Sequence, residues 1–333
     1  MNLTYALKRL VLLDFNRAFA QLDKTAKKSG KSKLFIFFDM VWCGLRYGAG
    51  PNDYELFEFY NLKPKNRKTY ITRGVNNALV KKFNNKEYWH LFDDKEEFNR
   101  LFADFMHRDW LPSDTMTLDE FKEFLKGKSE IIYKPAFGTC GKEIEKFSVA
   151  GADADGLFKL LIAKEKGVIE EVVYNHSAIR EVYPHAVNTV RVVTIFKDGV
   201  CTPVFAFWRI GAGGKSVDNL NSGGMAAMLD TKTGTVTLPA ADKDGIVYEK
   251  HPMTNKDIVG FTIPCWDKVL ETVDKAARVV PQIAYVGWDV CVRENDILLI
   301  EGNSFPGHDI LQLPAYTPNK IGLMDRVYKF YKG

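Results

Sequence analysis

Three oxygen-bearing side chains lie near the C-terminal end of the chain. Asp289 belongs to the apolar stretch 284–292, and Glu301 and Asn303 belong to the next one, 297–303. If these stretches are paired strands, alternation places Glu301 and Asn303 on one face, and pairing brings Asp289 beside them. Such hard ligands suit Mg²⁺ on phosphates better than zinc. We predict a magnesium site rather than solvent-facing strand ends, because carboxylates in runs this apolar are costly to bury without a cation.

A second group of residues follows the apolar run 131–135, which carries Lys134. The loop after it contains two glycines and a second lysine: Gly138, Thr139, Cys140, Gly141 and Lys142. The backbone N–H groups of such a loop can close over phosphates, while the lysines supply positive charge. The loop lacks Walker A spacing, since Glu143 follows the Gly-Lys pair. Taken alone, this stretch is also compatible with an ordinary hairpin.

A pair of acids and an arginine lie in two further apolar runs. Glu170 and Glu171 belong to the run 168–174, and Arg191 belongs to the run 189–196. The acidic run fits a hinge that offers a carboxylate and backbone groups to adenine and ribose, and it equally fits an edge strand with two exposed acids. An arginine inside an apolar strand indicates a buried anionic partner.

The elements that must position these residues change in character along the chain. The first hundred residues are predicted to form helices with short connections, and the capping-box pattern 117–120 starts another helix. Strands are then predicted at 131–135, 143–149, 168–174, 189–196, 200–210, 225–229, 235–238, 284–292 and 297–302, with helices at 155–164 and 264–280. Asp198-Gly199 predicts a tight hairpin turn. The predicted fold class is α+β.

Composition restricts the class of protein. The 333 residues, 46% hydrophobic and 26% charged, are enough for two or three folded units around a cleft. Five widely spaced cysteines predict neither a disulfide framework nor a zinc site, which favours the cytoplasm. The apolar run 34–42 is interrupted by Asp39 and is too short to span a membrane, and no signal-peptide pattern is present.

The charge is distributed unevenly. Residues 1–100 hold 19 Lys and Arg against 11 Asp and Glu, a net charge of +8, whereas the rest of the chain carries −4. Such a basic region could meet nucleic acid, an anionic membrane surface or an anionic small molecule. We favour a solvated helix surface, and we predict no nucleic-acid partner. A helix over 3–19 could touch a membrane, but packing onto the core is the preferred interpretation.

The order of these motifs resembles the ATP-grasp superfamily: lysine, second lysine with glycine loop, acidic hinge, arginine strand, carboxylate strand, then Glu-x-Asn. The stretches 209–224 and 301–307 are similar to the sugar-transfer-associated branch found among polysaccharide-biosynthesis genes. The resemblance covers roughly residues 90–320. It implies an ATP-grasp fold with two α+β subdomains that clasp ATP, at 94–175 and 176–333, preceded by a helix-rich region at 1–93 that serves the acceptor substrate or packing.

The resemblance also implies roles for individual residues. Lys95 and Lys134 would contact the nucleotide phosphates under a lid formed by the loop from Gly138 to Lys142. The adenine hinge would consist of Glu170, Glu171, Val172 and Val173. Arg191 and Arg209, with Lys134, would act on the γ-phosphate or acyl-phosphate, and Asn221 would belong to a phosphate or substrate loop. ATP and magnesium are the implied cofactors, with two ions held by Asp289, Glu301 and Asn303, and Mn²⁺ is an alternative ion.

The implied activity is that of an ATP-dependent carboxylate–amine ligase. ATP converts a small carboxylate into an acyl-phosphate, and an amine or other nucleophile then displaces the phosphate, here in polysaccharide or cell-surface glycan synthesis with a sugar or glycan precursor as partner. A kinase that phosphorylates a hydroxyl or phosphate and a nucleotide-binding regulator without turnover remain alternatives. Protein-kinase chemistry is not indicated, because His107-Arg108-Asp109 lacks the other kinase motifs. The oligomeric state stays open.

Overall fold

The computed structural model describes residues 15–138, 144–214 and 223–332, with the backbone alone for 15–18. The chain divides into two compact units, one formed by 1–82 with 307–333 and the other by 83–306. The mixed α+β class and the helix-rich N-terminal region are as predicted. The boundaries at 93/94 and 175/176 remain predictions. No helix in the described ranges is long and apolar enough to cross a membrane.

The α-helices, in chain order, are α1 Phe15–Ser29, α2 Lys33–Tyr47, α3 Pro51–Leu56, α4 Pro64–Arg67, α5 Arg73–Phe83, α6 His90–Asp93, α7 Lys95–Leu101, α8 Ala103–Met106, α9 Leu118–Leu125, α10 Ala154–Ile162, α11 Ser177–Val182, α12 Trp266–Ala277 and α13 Met324–Lys332. The strands are β1 Trp110–Pro112, β2 Glu130–Pro135, β3 Glu145–Ser148, β4 Gly167–Glu171, β5 Val190–Lys197, β6 Val200–Ile210, β7 Met225–Leu229, β8 Ala240–Asp242, β9 Val247–Tyr248, β10 Tyr285–Val292 and β11 Ile297–Asn303. These helices and strands are those of the described residues.

The first unit is helical in its described residues. Ser32 caps the start of α2, and Gly48, in the left-handed conformation, ends it. A largely buried ion pair crosses the unit, since the Arg67 guanidinium binds both carboxylate oxygens of Asp39 at 2.6 and 2.7 Å. The Tyr54 hydroxyl donates to the same carboxylate at 2.7 Å. These bonds compensate the cost of taking the charges out of water.

The second unit contains a small antiparallel sheet in the order β1-β4-β2-β3. One face of it packs on α9 and α10 through a buried cluster that includes Ile131, Tyr133 and Ile169. The side chains between them, Lys134 and Glu170, therefore project from the opposite face. The capping box that starts α9 is confirmed, because Thr117 and Glu120 exchange hydrogen bonds.

The second unit also contains a seven-stranded antiparallel sheet in the order β11-β10-β5-β6-β7-β8-β9. Alternate residues of its strands, with the buried face of α12, form the largest apolar core cluster of the described residues. Trp208 and Trp288 are fully buried in this core. The side chains that alternate with these two point to the other face of the sheet, which is the face of the predicted magnesium ligands.

Two of the predicted strands differ from the structure. The strand expected at 235–238 is reduced to a single bridge: Val236 pairs antiparallel with Leu229 across the predicted turn, whereas the continuous pairing of β7 is with β8. Residues 231–239 include turn formers, which move the continuous pairing further along the chain. The strand expected at 168–174 ends at Glu171, so Val172 and Val173 lie outside the sheet.

We predict that Gly199→Ala lowers the free energy of unfolding by about 1–2 kcal/mol, because a left-handed conformation costs a residue with a Cβ this much. Asp198 and Gly199 have φ values of 52° and 78° and join β5 to β6, which confirms the predicted tight turn. Denaturant unfolding measures the effect. Asp198→Asn is the control and should change stability by less than about 0.5 kcal/mol, since Asn tolerates this conformation. Equal effects of the two substitutions would contradict the turn assignment.

Candidate functional site

A β-bulge decides which face of the large sheet carries the acids of β11. Ile297 and Leu299 point into the core, so strict alternation would place Glu301 there as well. The register of β10 against β11 shifts between Asp289 and Val290, where Ile300 is the extra residue. After this shift Asp289 pairs with Glu301, and Asn303 lies on the same face as both. The bulge thus moves two polar side chains out of the core.

Asp289 is the buried centre of this face, with 1% of its surface exposed. Arg191 is its direct neighbour on β5, and the guanidinium contacts both carboxylate oxygens, with Nη2 at 2.5 Å from Oδ2. Arg209 Nη1 on β6 lies 3.1 Å from the same Oδ2. The anionic partner predicted for Arg191 is therefore Asp289. The two arginines hold the pKa of Asp289 at about 2 against the opposing effect of burial.

Glu301 and Asn303 extend the polar face along β11. The side chain of Glu301 is 45% exposed, and its Oε1 lies 3.6 Å from Nη2 of Arg191. The Asn303 amide nitrogen donates to Glu301 at 3.2 Å and to the Gly287 carbonyl at 3.4 Å. Partial burial and the neighbouring Asp289 carboxylate raise the pKa of Glu301, which is the reverse of the effect at Asp289. Two like charges are therefore held together at this point of the sheet.

The donor set fits a magnesium ion that also takes phosphate oxygens. Two carboxylates and an amide oxygen are hard ligands, and Mg²⁺ in nucleotide sites uses one or two carboxylates with substrate phosphates. In the described residues no cluster of three or more His, Cys, Asp or Glu side chains could hold a metal by itself. A cation between Asp289 and Glu301 would offset their mutual repulsion. The assignment of these ligands remains a prediction.

On the small sheet, Glu170 is the counter-ion of two cations. Its Oε2 lies 2.5 Å from the Lys134 ammonium and 3.0 Å from Arg108 Nε. Its Oε1 accepts from Arg108 Nη2 at 3.0 Å and from Asn99 at 3.1 Å. Glu170 is buried, and although burial opposes ionisation, Arg108 and Lys134 move its pKa well below the usual range. Glu170 is thus the acid on the Lys134 face, and it keeps that lysine in place.

Arg108 connects the two sheets of the second unit. Besides Glu170 on β4, its guanidinium binds the carbonyls of Leu299 at 2.5 Å and Ile300 at 3.4 Å. Those carbonyls belong to the bulge that precedes Glu301, so Arg108 links the lysine side of the site to the acid side. This role of Arg108 was not predicted from the sequence, where the residue stands out only as part of the kinase-like triplet 107–109. Its position after a short helix, with no apolar run around it, carries no signal of burial.

Lys95 approaches the same region from the start of α7. Its ammonium binds the carbonyls of Pro135 at 2.9 Å and of Gly138 at 3.4 Å, in the segment that follows Lys134. Burial lowers the pKa of Lys95, while Glu301 acts in the opposite direction and Lys134 in the same direction. The two carbonyl contacts therefore place Lys95 beside the end of the strand that carries Lys134.

The remaining predicted residues divide into two groups. Glu171 lies on the other face of β4 from Glu170 and accepts from the Asp109 amide at 3.2 Å, and Val173 is buried against Cys291 and Leu298. Gly138 is described, with a φ of 146°. Four loop residues and one from the later turn-rich segment lie outside the described residues: Thr139, Cys140, Gly141, Lys142 and Asn221. The nucleotide contacts predicted for both groups remain predictions.

We predict that Glu170→Gln lowers the free energy of unfolding by about 3–5 kcal/mol, because it leaves two buried cations without their counter-ion. Since the folded-state pKa of Glu170 is depressed, its stabilising contribution is complete above the unfolded-state pKa of about 4.3 and is lost as the pH falls below it. Unfolding free energies measured at several acidic pH values should therefore fall less steeply in the variant, by up to about 1.4 kcal/mol per pH unit.

Glu171→Gln is the matched control for this substitution, since it neutralises the adjacent acid on the other face of the strand. The Glu171 variant keeps the ion pairs of Glu170 with Arg108 and Lys134, so its pH profile should show the steep fall that the Glu170 variant loses. An identical pH profile for Glu170→Gln and the wild-type protein would show that Glu170 does not carry the buried charge.

Comparison with known proteins places this geometry in a family. A family profile described as Sugar-transfer associated ATP-grasp matches residues 147–332. A comparison with curated proteins found no match. Among solved structures, the chain is 14% identical to a phosphoribosylamine–glycine ligase from Thermotoga maritima, with 76% of this chain and 57% of that chain covered and a TM-score of 0.47.

Two further solved structures have the same low level of similarity. The ATP-grasp ligase PsnB, complexed with a minimal precursor, Mg and ADP, is 14% identical, with 74% of this chain and 62% of that chain covered and a TM-score of 0.42. The D-cycloserine synthetase DcsG is 14% identical, with 85% and 82% covered and a TM-score of 0.40. The chain spans about 62% of the length of PsnB. The family match covers more than half of the chain and includes β5, β6, β10 and β11, and the chain therefore belongs to the sugar-transfer associated ATP-grasp family.

Proposed function

We propose that this protein is an ATP- and magnesium-dependent ligase that activates a carboxylate as an acyl-phosphate and couples it to an amine or another nucleophile. The observation that carries the proposal is the pairing of Asp289 with Glu301 across β10 and β11, on the sheet face that also holds Arg191 and Arg209. A face with two acids, one amide and two arginines suits a magnesium–phosphate group better than a neutral ligand. Membership of the ATP-grasp family supports the same nucleotide.

The proposed nucleotide site uses residues of both sheets of the second unit. Lys95 and Lys134 meet the phosphates, and Glu170 orients Lys134 through the 2.5 Å contact. Asp289, Glu301 and Asn303 hold one or two magnesium ions, with Mn²⁺ as a substitute, and the bound metal would neutralise phosphate charge. The loop from Gly138 to Lys142, the segment Glu170–Val173 and Asn221 complete the nucleotide contacts.

The proposed reaction consists of two transfers without a covalent enzyme intermediate. A carboxylate oxygen of the substrate attacks the γ-phosphorus of ATP, so that a mixed anhydride forms and ADP leaves. The amine then attacks the acyl carbon, the bond to the phosphate oxygen breaks, and inorganic phosphate and a proton are released. Arg209, which is 19% exposed, stabilises negative charge on the transferred phosphoryl group. Arg191, 7% exposed and paired with Asp289, contributes charge and keeps that carboxylate in position.

The proposed substrates are a small carboxylate and a sugar or glycan precursor, in polysaccharide or cell-surface glycan synthesis on the cytoplasmic side. The sugar-transfer association of the family supports this finer assignment. The helix-rich region 1–93 is proposed to serve the acceptor substrate or packing.

We predict that Asp289→Asn and Glu301→Gln each reduce magnesium-dependent ATP turnover by at least about a hundredfold, the scale seen when electrostatic stabilisation of a transition state is removed. Initial rates of ADP release across a magnesium titration measure this effect. Asp244→Asn is the control, since Asp244 is an exposed acid of the same unit. Wild-type rates in both site variants would contradict the magnesium assignment.

The reaction class is tested by a screen of sugar acids, amino acids and amines, with ADP release and product mass as readouts. A ligase releases ADP with an acid and an amine together and forms a product heavier than either. ADP release with a hydroxyl compound alone would instead show a kinase. Tight ATP binding without ADP release under any combination would show a nucleotide-binding regulator. Each of the last two results would replace the ligase proposal.

A further inference from the structure

The helix α2 of the first unit exposes a wide apolar face. Six of its side chains on one side are large, apolar and exposed: Leu34, Phe35, Phe38, Val41, Trp42 and Leu45. We call these six residues the apolar face of α2. The exposed fractions of Leu34, Phe38 and Trp42 are 72%, 66% and 56%. Single exposed apolar residues are ordinary, but six large ones together on one helix face mark an interaction surface.

The orientation of α2 is fixed by its other side. Ile36 and Cys43 are fully buried there, and Asp39 lies between them with its carboxylate bound to Arg67 and Tyr54. Turning the helix to bury the apolar face would break this buried ion pair, which costs several kcal/mol, on the order of 3–5. The apolar face is therefore held outward by the same interaction that anchors the helix. Because large apolar side chains cover the exposed side of α2 as well, the helix indicates a second apolar medium beyond the core.

The charge of the first unit indicates what that medium is. Residues 1–82 and 307–333 hold 20 Lys and Arg against 8 Asp and Glu, a net charge of +12, whereas residues 83–306 carry −8. Basic residues flank the apolar face at both ends of α2, with Lys33 at the start and Arg46 in the last turn. The neighbouring helix α1 adds Lys27 and Lys28 near its end. A strongly basic unit is complementary to an anionic surface.

We propose that the apolar face of α2 is a peripheral membrane anchor that inserts into the headgroup region of an anionic lipid bilayer. An aromatic and aliphatic helix face flanked by Lys and Arg is the pattern of helices that lie in the membrane interface. Trp42 and the phenylalanines supply the rings that favour this region, and the surrounding lysines attract the acidic lipids. A second copy of the chain fits less well, because pairing through α2 would bring two units of charge +12 together.

Binding of the full chain to lipid vesicles tests the proposal. We expect co-sedimentation with vesicles of phosphatidylcholine that contain about 30% phosphatidylglycerol, and much weaker binding to phosphatidylcholine alone. The double variant Phe38→Ser with Trp42→Ser should lose at least about tenfold in partition coefficient, because it removes two large apolar side chains from the lipid. The control double variant, Ile246→Ser with Val247→Ser, alters two residues of the other unit that are 57% and 52% exposed, and it should bind as the wild type does.

Fluorescence of Trp42 distinguishes the other possible occupants of this face. In the proposed arrangement, iodide quenches Trp42 in the free protein, and brominated lipids quench it on acidic vesicles; Trp42→Phe, which keeps the other five tryptophans, should lose the lipid quenching and part of the iodide quenching. Protection from iodide without vesicles would show that the chain itself, for example residues 1–14, covers the face. A concentration-dependent dimer abolished by the double variant, without vesicle binding, would show a second copy. Either of these two results would overturn the proposal. So would a lack of binding to acidic vesicles, or equal binding to acidic and neutral vesicles.

Discussion

The main electrostatic constraint on the second unit is the repulsion between two carboxylates on neighbouring strands. Asp289 and Glu301 would repel each other if nothing compensated their charge, and the sheet brings them together nonetheless. Arg191 and Arg209 neutralise the buried member, so that Asp289 stays ionised while the more exposed Glu301 keeps a raised pKa. The result is a polar face on which two acids and two arginines lie side by side, so that a divalent cation and an anionic substrate each find groups of opposite charge there.

The arrangement depends on one irregularity and one arginine. The bulge at Ile300 changes the alternation of β11, so that apolar residues before it enter the core and polar residues after it leave the core. Arg108 binds the carbonyl groups at this bulge and the Glu170 carboxylate on the other sheet. Because Glu170 also holds Lys134, the positions of the basic and acidic sides of the site are coupled through a single buried carboxylate. A change at Glu170 should therefore disturb both sides.

The sequence was informative wherever local chemistry decides structure, as for the capping box at Thr117, the turn at Asp198-Gly199 and the pairing of Asp289 with Glu301. It also predicted that Arg191 needs a buried anion. Contacts that depend on distant segments were not predictable in the same way. The roles of Arg108 and Asn99 become visible only when both sheets are present, and the bulge at Ile300 has no sequence signal in an unbroken apolar run. The strand predicted at 235–238 has the residue types of a strand, but only Val236 of it bridges to β7. The continuous pairing of β7 is instead with β8.

Asp289, Glu301 and Asn303 are proposed to hold the metal that accompanies ATP, and a crystal structure with a non-hydrolysable ATP analogue and Mn²⁺ would show where that metal binds. Manganese can replace magnesium in such oxygen sites, and its anomalous scattering locates the ion independently of the phosphate density. We expect an anomalous peak within coordination distance, about 2.0–2.3 Å, of oxygen atoms of these three side chains and of the analogue's phosphates. A bound nucleotide whose metal lies elsewhere, with Asp289 and Glu301 not coordinated, would contradict this proposal.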